Sequence, residues 1–176
     1  HWFRCIEPLA AHYRLLVPDL PGLGESADAP EPYDGYSIAA IVADGLRMLV
    51  PPGELFDMAG FSFGGVIGGH VAAMLDGTAA SMTFVGSGGM GLGRPLRRKM
   101  VSWRKAETPE SLMEAHGHNL RALMLERPES VDETALHIQW RNTNQARTKS
   151  APISLRKTLN AALPGTHVAL AGIWGE

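Results

Sequence analysis

Between residues 55 and 75 an apolar run passes without a linker into a glycine-rich one. Leu55-Phe56-Asp57-Met58-Ala59 has the composition of a short strand. Gly60-Phe61-Ser62-Phe63-Gly64 follows, and residues 64–75 then read as a helix that ends at Asp76-Gly77. A strand that becomes a helix over five residues places Ser62 on a sharp bend with unfavourable dihedrals, its hydroxyl projecting above the sheet. The bend predicts small residues at 60 and 64, because a side chain there would collide with the neighbouring strand or helix. Gly65, Gly68, Gly69, Ala72 and Ala73 extend that small surface, so the helix can approach a sheet closely. The helix N-terminus directs free N–H groups and the positive end of its dipole at Ser62. The N–H of Phe63 is placed to stabilise an oxyanion formed there. The G-x-S-x-G spacing alone is weak, and its strand-to-helix setting is what makes it informative. The plainer alternative is a glycine-rich turn in which Ser62 is only a helix cap.

The flanking sequence repeats the alternation of strand and helix. Trp2, Phe3, Ile6, Leu9 and Ala10 recur at helical spacing over residues 2–11. Tyr13 to Val17 reads as a buried strand stopped by Pro18. The stretch from Asp19 to Ser26, continuing through Pro30 and Pro32, is too rich in turn residues for helix. Ser37 is the expected N-cap of a helix over 38–49, which Pro51-Pro52-Gly53 ends. Ser81 to Val85 is a further strand. Short joints between these elements imply a parallel α/β sheet. From residue 94 the pattern changes to helices. Thr108 caps one, with Pro109 in its first turn, and Ser130-Val131-Asp132-Glu133 has the form of a capping box for another. Pro164-Gly165 closes this insertion, and residues 167–174 return as a strand. The expected division is a core part at 1–93, a helical insertion at 94–162 and a return strand at 163–176.

Composition narrows the function. A length of 176 residues fits one domain with an inserted subdomain, and a net charge of −2 argues against a general nucleic-acid binder. One cysteine excludes an internal disulfide framework and a cysteine-based zinc cluster, and it fits a reducing, cytoplasmic setting. The longest apolar candidate, Val66 to Leu75, is interrupted by Gly68, Gly69 and His70, so no membrane span is expected. His116-Gly117-His118 lacks further ligands at metal spacing, and no metal site is assigned. Gly86-Ser87-Gly88-Gly89-Met90-Gly91 is a complete G-x-G-x-x-G after a strand, which makes a dinucleotide site a rival reading. Gly93 and Pro95 delay the helix such a site needs, and Glu107 and Glu110 fall in a helical region. Arg94, Arg97, Arg98, Lys99, Arg104 and Lys105 read as a solvated helix face rather than an anion gate. Met90, Trp103, Met113, Met124 and Trp140 read as packing of the insertion rather than an acyl pocket.

The chain resembles the α/β-hydrolase fold superfamily, in its cap-bearing esterase and C–C hydrolase-like branch. Four segments carry the likeness. They are Val17-Pro18-Asp19-Leu20-Pro21-Gly22-Leu23-Gly24-Glu25-Ser26, Ala59 to Gly65, the insertion in the cap position, and Ile173-Trp174-Gly175-Glu176. The resemblance implies an incomplete mostly parallel sheet with a helical cap, the first three strands and the last lying outside the sequence. It implies Ser62 as nucleophile, Phe63 N–H as an oxyanion donor, and Gly60 and Gly64 as the flanks of the elbow. The acid would stand two residues beyond Glu176, the histidine further on, and the second oxyanion donor before His1. Asp19 would belong to the structural turn. The 176 residues alone are therefore expected to turn over little substrate. The implied reaction is hydrolysis of a small carboxylic ester or related acyl substrate through an acyl-enzyme, without a cofactor. C–C bond hydrolysis and non-catalytic binding of a small molecule on the same fold are the alternatives.

Overall fold

The computed structural model describes residues 2–91 and 98–175, which fall into two compact units. The first unit combines residues 2–91 with 147–175. Its elements are α1 (Phe3–Ala10), α2 (Gly35–Leu49), β1 (Phe56–Phe61), α3 (Phe63–Met74), β2 (Ala79–Val85), then, after the inserted unit, α6 (Ser150–Ser154), α7 (Thr158–Ala162) and β3 (Ala169–Ile173). The strands form one parallel sheet in the order β1-β2-β3. Phe61 pairs with Val85, and Val85 pairs with Ile173, so the C-terminal ends of all three strands lie level. Parallel strands need a crossover between them, and α3 supplies it from β1 to β2.

The core lies along α3. Val66, Ile67, Val71 and Ala72 are fully buried against Ile38, Ala39 and Ala43 of α2, Met82 and Phe84 of β2 and Leu159 of α7. Two α3 glycines make this approach possible. A Cβ at Gly68 would lie 2.6 Å from the Met82 side chain, and one at Gly69 would lie 2.6 Å from that of Leu159. Residues 147–162 belong to this first unit, where α6 and α7 pack on α3. Arg147 reaches the turn-rich loop, where its guanidinium binds the Asp28 carboxylate and the Ser26 carbonyl. The Thr148 hydroxyl donates to the Pro21 carbonyl at 2.8 Å.

Two expectations for this unit are corrected. Residues 13–17 form no strand, because they have no ladder partner among the described residues, and Tyr13, Leu16 and Val17 are exposed. The cap of α2 is Asp34, not Ser37. The Asp34 carboxylate accepts the Ser37 N–H at 2.8 Å while the Ser37 hydroxyl accepts the Asp34 N–H at 2.9 Å. Ser37 is therefore the third helical residue of a reciprocal capping box.

The second unit is described over residues 98–146. It holds a 3₁₀ turn at Trp103–Lys105, α4 (Pro109–Leu123), a second 3₁₀ turn at Pro128–Ser130 and α5 (Glu133–Gln145). Thr108 caps α4 as expected. Asp132, not Ser130, caps α5, its carboxylate accepting the Ala135 N–H at 2.8 Å. His116, Gly117, Asn119 and Leu120 are the buried residues of α4. Trp103 lies against His116 with ring centroids 5.6 Å apart. Arg104 covers the same indole. Trp140 is partly exposed beside His137. Arg94 and Arg97 lie outside the described residues.

Candidate active site

Ser62 stands alone between β1 and α3 with φ 52° and ψ −116°. Among the described residues it is the one non-glycine residue with positive φ. This conformation costs an L-residue of order 1–3 kcal/mol and persists only where its surroundings impose it. The plain capping alternative fails here, because the Ser62 side chain makes no cap hydrogen bond. Its hydroxyl has no hydrogen-bond partner among the described residues, and the residue is half-buried. The carbonyl of Ser62 instead accepts the N–H groups of Gly65 and Val66, at 3.0 and 3.3 Å, and starts the helix. The N–H groups of Phe63 and Gly64 have no acceptor among the described residues. An unpartnered hydroxyl and unpartnered helix N–H groups thus share one bend, the combination that receives a developing oxyanion.

The packing around the bend agrees with the sequence at one flank and not at the other. A Cβ at Gly60 would lie 2.5 Å from the Gly64 carbonyl oxygen and 2.6 Å from the Gly65 Cα. Both are backbone, so nothing can yield. At Gly64 a Cβ would meet nothing within 4 Å, so the expected collision does not occur there. Gly65 is the second crowded position, with the Ser87 hydroxyl 2.4 Å from where its Cβ would stand.

No described histidine hydrogen-bonds Ser62. His70, on α3, is buried and turned toward α7, its Nε2 3.0 Å from the Thr158 hydroxyl, with Tyr36 edge-on. Burial holds its pKa below the usual histidine value, against the opposing pull of Asp34. His118 Nε2 meets the Lys99 carbonyl at 2.7 Å. His116 is fully buried with neither ring nitrogen partnered among the described residues, and burial pushes its pKa down. The sequence pattern did not reveal the pair of His167 Nδ1 and Asp76 Oδ2, 3.0 Å apart. That pair precedes β2 and β3, at the N-terminal ends of the strands, whereas Ser62 follows β1 at the C-terminal end. It is on the wrong side of the sheet to serve Ser62. No group of three or more His, Cys, Asp or Glu side chains gathers at metal-binding distance among the described residues.

The other sequence candidates are accounted for by packing. Asp19 braces its own loop, its carboxylate accepting the Glu25 N–H at 3.2 Å. In the glycine run after β2, Gly89 N–H donates to the Ser154 carbonyl at 2.8 Å, and the Gly89 carbonyl accepts the Leu159 N–H at 3.1 Å. A Cβ at Gly88 would lie 2.7 Å from the Ser154 carbonyl oxygen, and one at Gly91 would collide with the Lys157 side chain. These glycines seat the 154–159 segment. Trp174, at the end of β3, donates its indole N–H to the Ser87 carbonyl at 3.4 Å.

The alpha/beta hydrolase fold family matches residues 1–153. The chain belongs to that family. No curated protein matches it. Solved structures agree on the fold of this hydrolase-family chain. A meta-cleavage product hydrolase from Pseudomonas fluorescens superposes with a TM-score of 0.71 at 18% identity, over 99% of this chain and 65% of that one. A protein proposed as an aryl esterase from Burkholderia cenocepacia gives 0.69 at 21% identity, over 96% and 63%. An esterase from a Rhodococcus species gives 0.63 at 23% identity, over 98% and 66%. The chain therefore spans less than two thirds of the length of the first two. None of its described helices is long and apolar enough to cross a membrane.

Proposed function

We propose that this chain carries the nucleophile of a serine hydrolase acting on a small carboxylic ester or related acyl substrate. The observation that carries the reading is the unpartnered hydroxyl of Ser62 on a positive-φ bend at the C-terminal end of β1. The Ser62 Oγ attacks the substrate carbonyl carbon as a base takes its proton. The carbonyl oxygen becomes an oxyanion beside the free N–H of Phe63. The alkoxide then leaves with a proton, giving an acyl-enzyme that water hydrolyses. The base and the acid that orients it are expected from the remainder of the full-length protein, since no described histidine bonds Ser62. Substrate choice is assigned to the inserted helices α4 and α5.

The test uses the full-length protein, a fluorophosphonate probe and a p-nitrophenyl ester. Labelling and turnover are expected, and Ser62→Ala is expected to abolish labelling and lower kcat by about 10⁴-fold or more. Equal labelling of Ser62→Ala would overturn the assignment. A protein that binds acyl compounds but never reacts with the probe would be a binder on this fold.

A further inference from the structure

A second serine lies under the bend. Ser87, two residues past β2, is 8% exposed, and its hydroxyl is 3.3 Å from the Ser62 carbonyl oxygen and 3.0 Å from that of Gly88. Every other hydrogen bond that holds the Ser62 main chain comes from main chain. Its N–H donates to the Val85 carbonyl at 2.9 Å, and its carbonyl accepts from Gly65 and Val66. Ser87 is thus the one side chain, among the described residues, that hydrogen-bonds the Ser62 backbone. It is also wedged in place. The missing Cβ of Gly65 leaves the room it occupies, with the Ser87 Cβ 2.6 Å from that position. The end of β3 fixes it from the other side, through Gly86 N–H to the Ile173 carbonyl at 2.8 Å and Trp174 to the Ser87 carbonyl.

We propose that Ser87 is a positioning residue for the nucleophile. Its hydroxyl, shared between the Ser62 and Gly88 carbonyls, holds the bend at Ser62 in the conformation that presents Oγ. The inference rests on the reading of Ser62 as nucleophile. The physical reason is that a positive-φ serine relaxes unless its neighbours over-determine it. A buried hydroxyl must also stay engaged with an acceptor, and among the described residues the two it meets are these carbonyls. Relaxation of the bend would turn Oγ and the Phe63 N–H away from each other's substrate atom, which costs rate without costing substrate affinity.

The experiment compares Ser87→Ala and Ser87→Cys with the unmodified full-length protein, reading ester kcat, KM, the rate of fluorophosphonate labelling and thermal unfolding. Cysteine keeps the shape of the side chain, slightly enlarged, but donates weakly. Both variants are expected to unfold cooperatively, with kcat and labelling rate lowered together by about tenfold and KM unchanged. Unchanged kcat in Ser87→Ala, a change in KM alone, or full restoration by Ser87→Cys would overturn the proposal, the last by showing that packing alone matters. If Ser87→Ala does not fold, Ser87→Cys decides: lowered kcat supports the proposal and unchanged kcat overturns it. Labelling that survives Ser62→Ala would overturn the nucleophile reading itself, a result independent of either Ser87 variant.

Discussion

The two helices α3 and α4 begin in opposite ways. Thr108 has extended backbone, its hydroxyl accepts the Ser111 N–H at 3.2 Å, and Pro109 takes the first helical position. Every local preference for a helix start is obeyed. Ser62 has positive φ, makes no cap bond and is followed, after Phe63, by two glycines. Local preference is overridden there, and α3 is held by burial on nearly every side instead. A start that local chemistry builds will form wherever its sequence is placed. A start that tertiary contacts impose exists only within this fold, and such departures gather at functional sites. The contrast predicts where a single methyl does most damage. Gly60→Ala is expected to destabilise the fold by about 3 kcal/mol, since its Cβ meets only unyielding backbone. Gly64→Ala, with open space at its Cβ, should stay near neutral in stability. Denaturant unfolding of the two variants measures the difference, and similar losses for both would break the comparison.

This contrast also sorts what was legible in the sequence. The elbow was readable because strand, bend and helix follow one another within twenty residues. The expected strand at 55–59 and helix at 64–75 are observed as Phe56–Phe61 and Phe63–Met74. Residues 13–17 misled because a strand is a pairing, and an apolar run does not state whether a partner lies beside it. The cap of α2 was misplaced because Asp34 and Ser37 are both good caps, and only the reciprocal bonds show which comes first. Ser87 was visible only as the serine of a glycine run. Its contact with Ser62 depends on the register that pairs Phe61 with Val85, which no local pattern encodes. The same holds for the glycines at 88, 89 and 91, whose closest neighbours, Ser154, Leu159 and Lys157, are more than 60 residues away in the chain.

A buried histidine of α4 adds a pH signature to the comparison. His116 is fully buried, neither ring nitrogen has a partner among the described residues, and burial holds its pKa below the usual 6.5. The unfolded chain takes up a proton near that value and the folded chain does so only at lower pH. Its contribution to stability is therefore complete above pH 6.5 and is lost as pH falls below it. His116→Leu removes both the titration and two unsatisfied buried nitrogens. It is expected to raise stability by about 1–2 kcal/mol at pH 7, with the gap widening toward pH 5. Denaturation midpoints at the two pH values measure this, and a gap that narrows toward pH 5 would contradict the assignment of a buried neutral ring. His70, whose pKa burial also lowers, contributes the same sign in both proteins and cancels in the comparison.

The smallest expected effects test the two helix starts directly, and they differ in sign. Thr108→Ala removes the hydroxyl that accepts the Ser111 N–H and should cost about 1 kcal/mol. Ser62→Gly removes no cap bond, because none exists, and puts glycine where φ is 52°. Glycine loses more chain entropy on folding, which offsets part of the gain, but the released strain is larger, so a net stabilisation of about 1 kcal/mol is expected. Thermal unfolding of the two variants beside the unmodified protein reads both shifts. A destabilised Ser62→Gly would mean that the serine side chain supports its own backbone, and α3 would then start by the same local chemistry as α4.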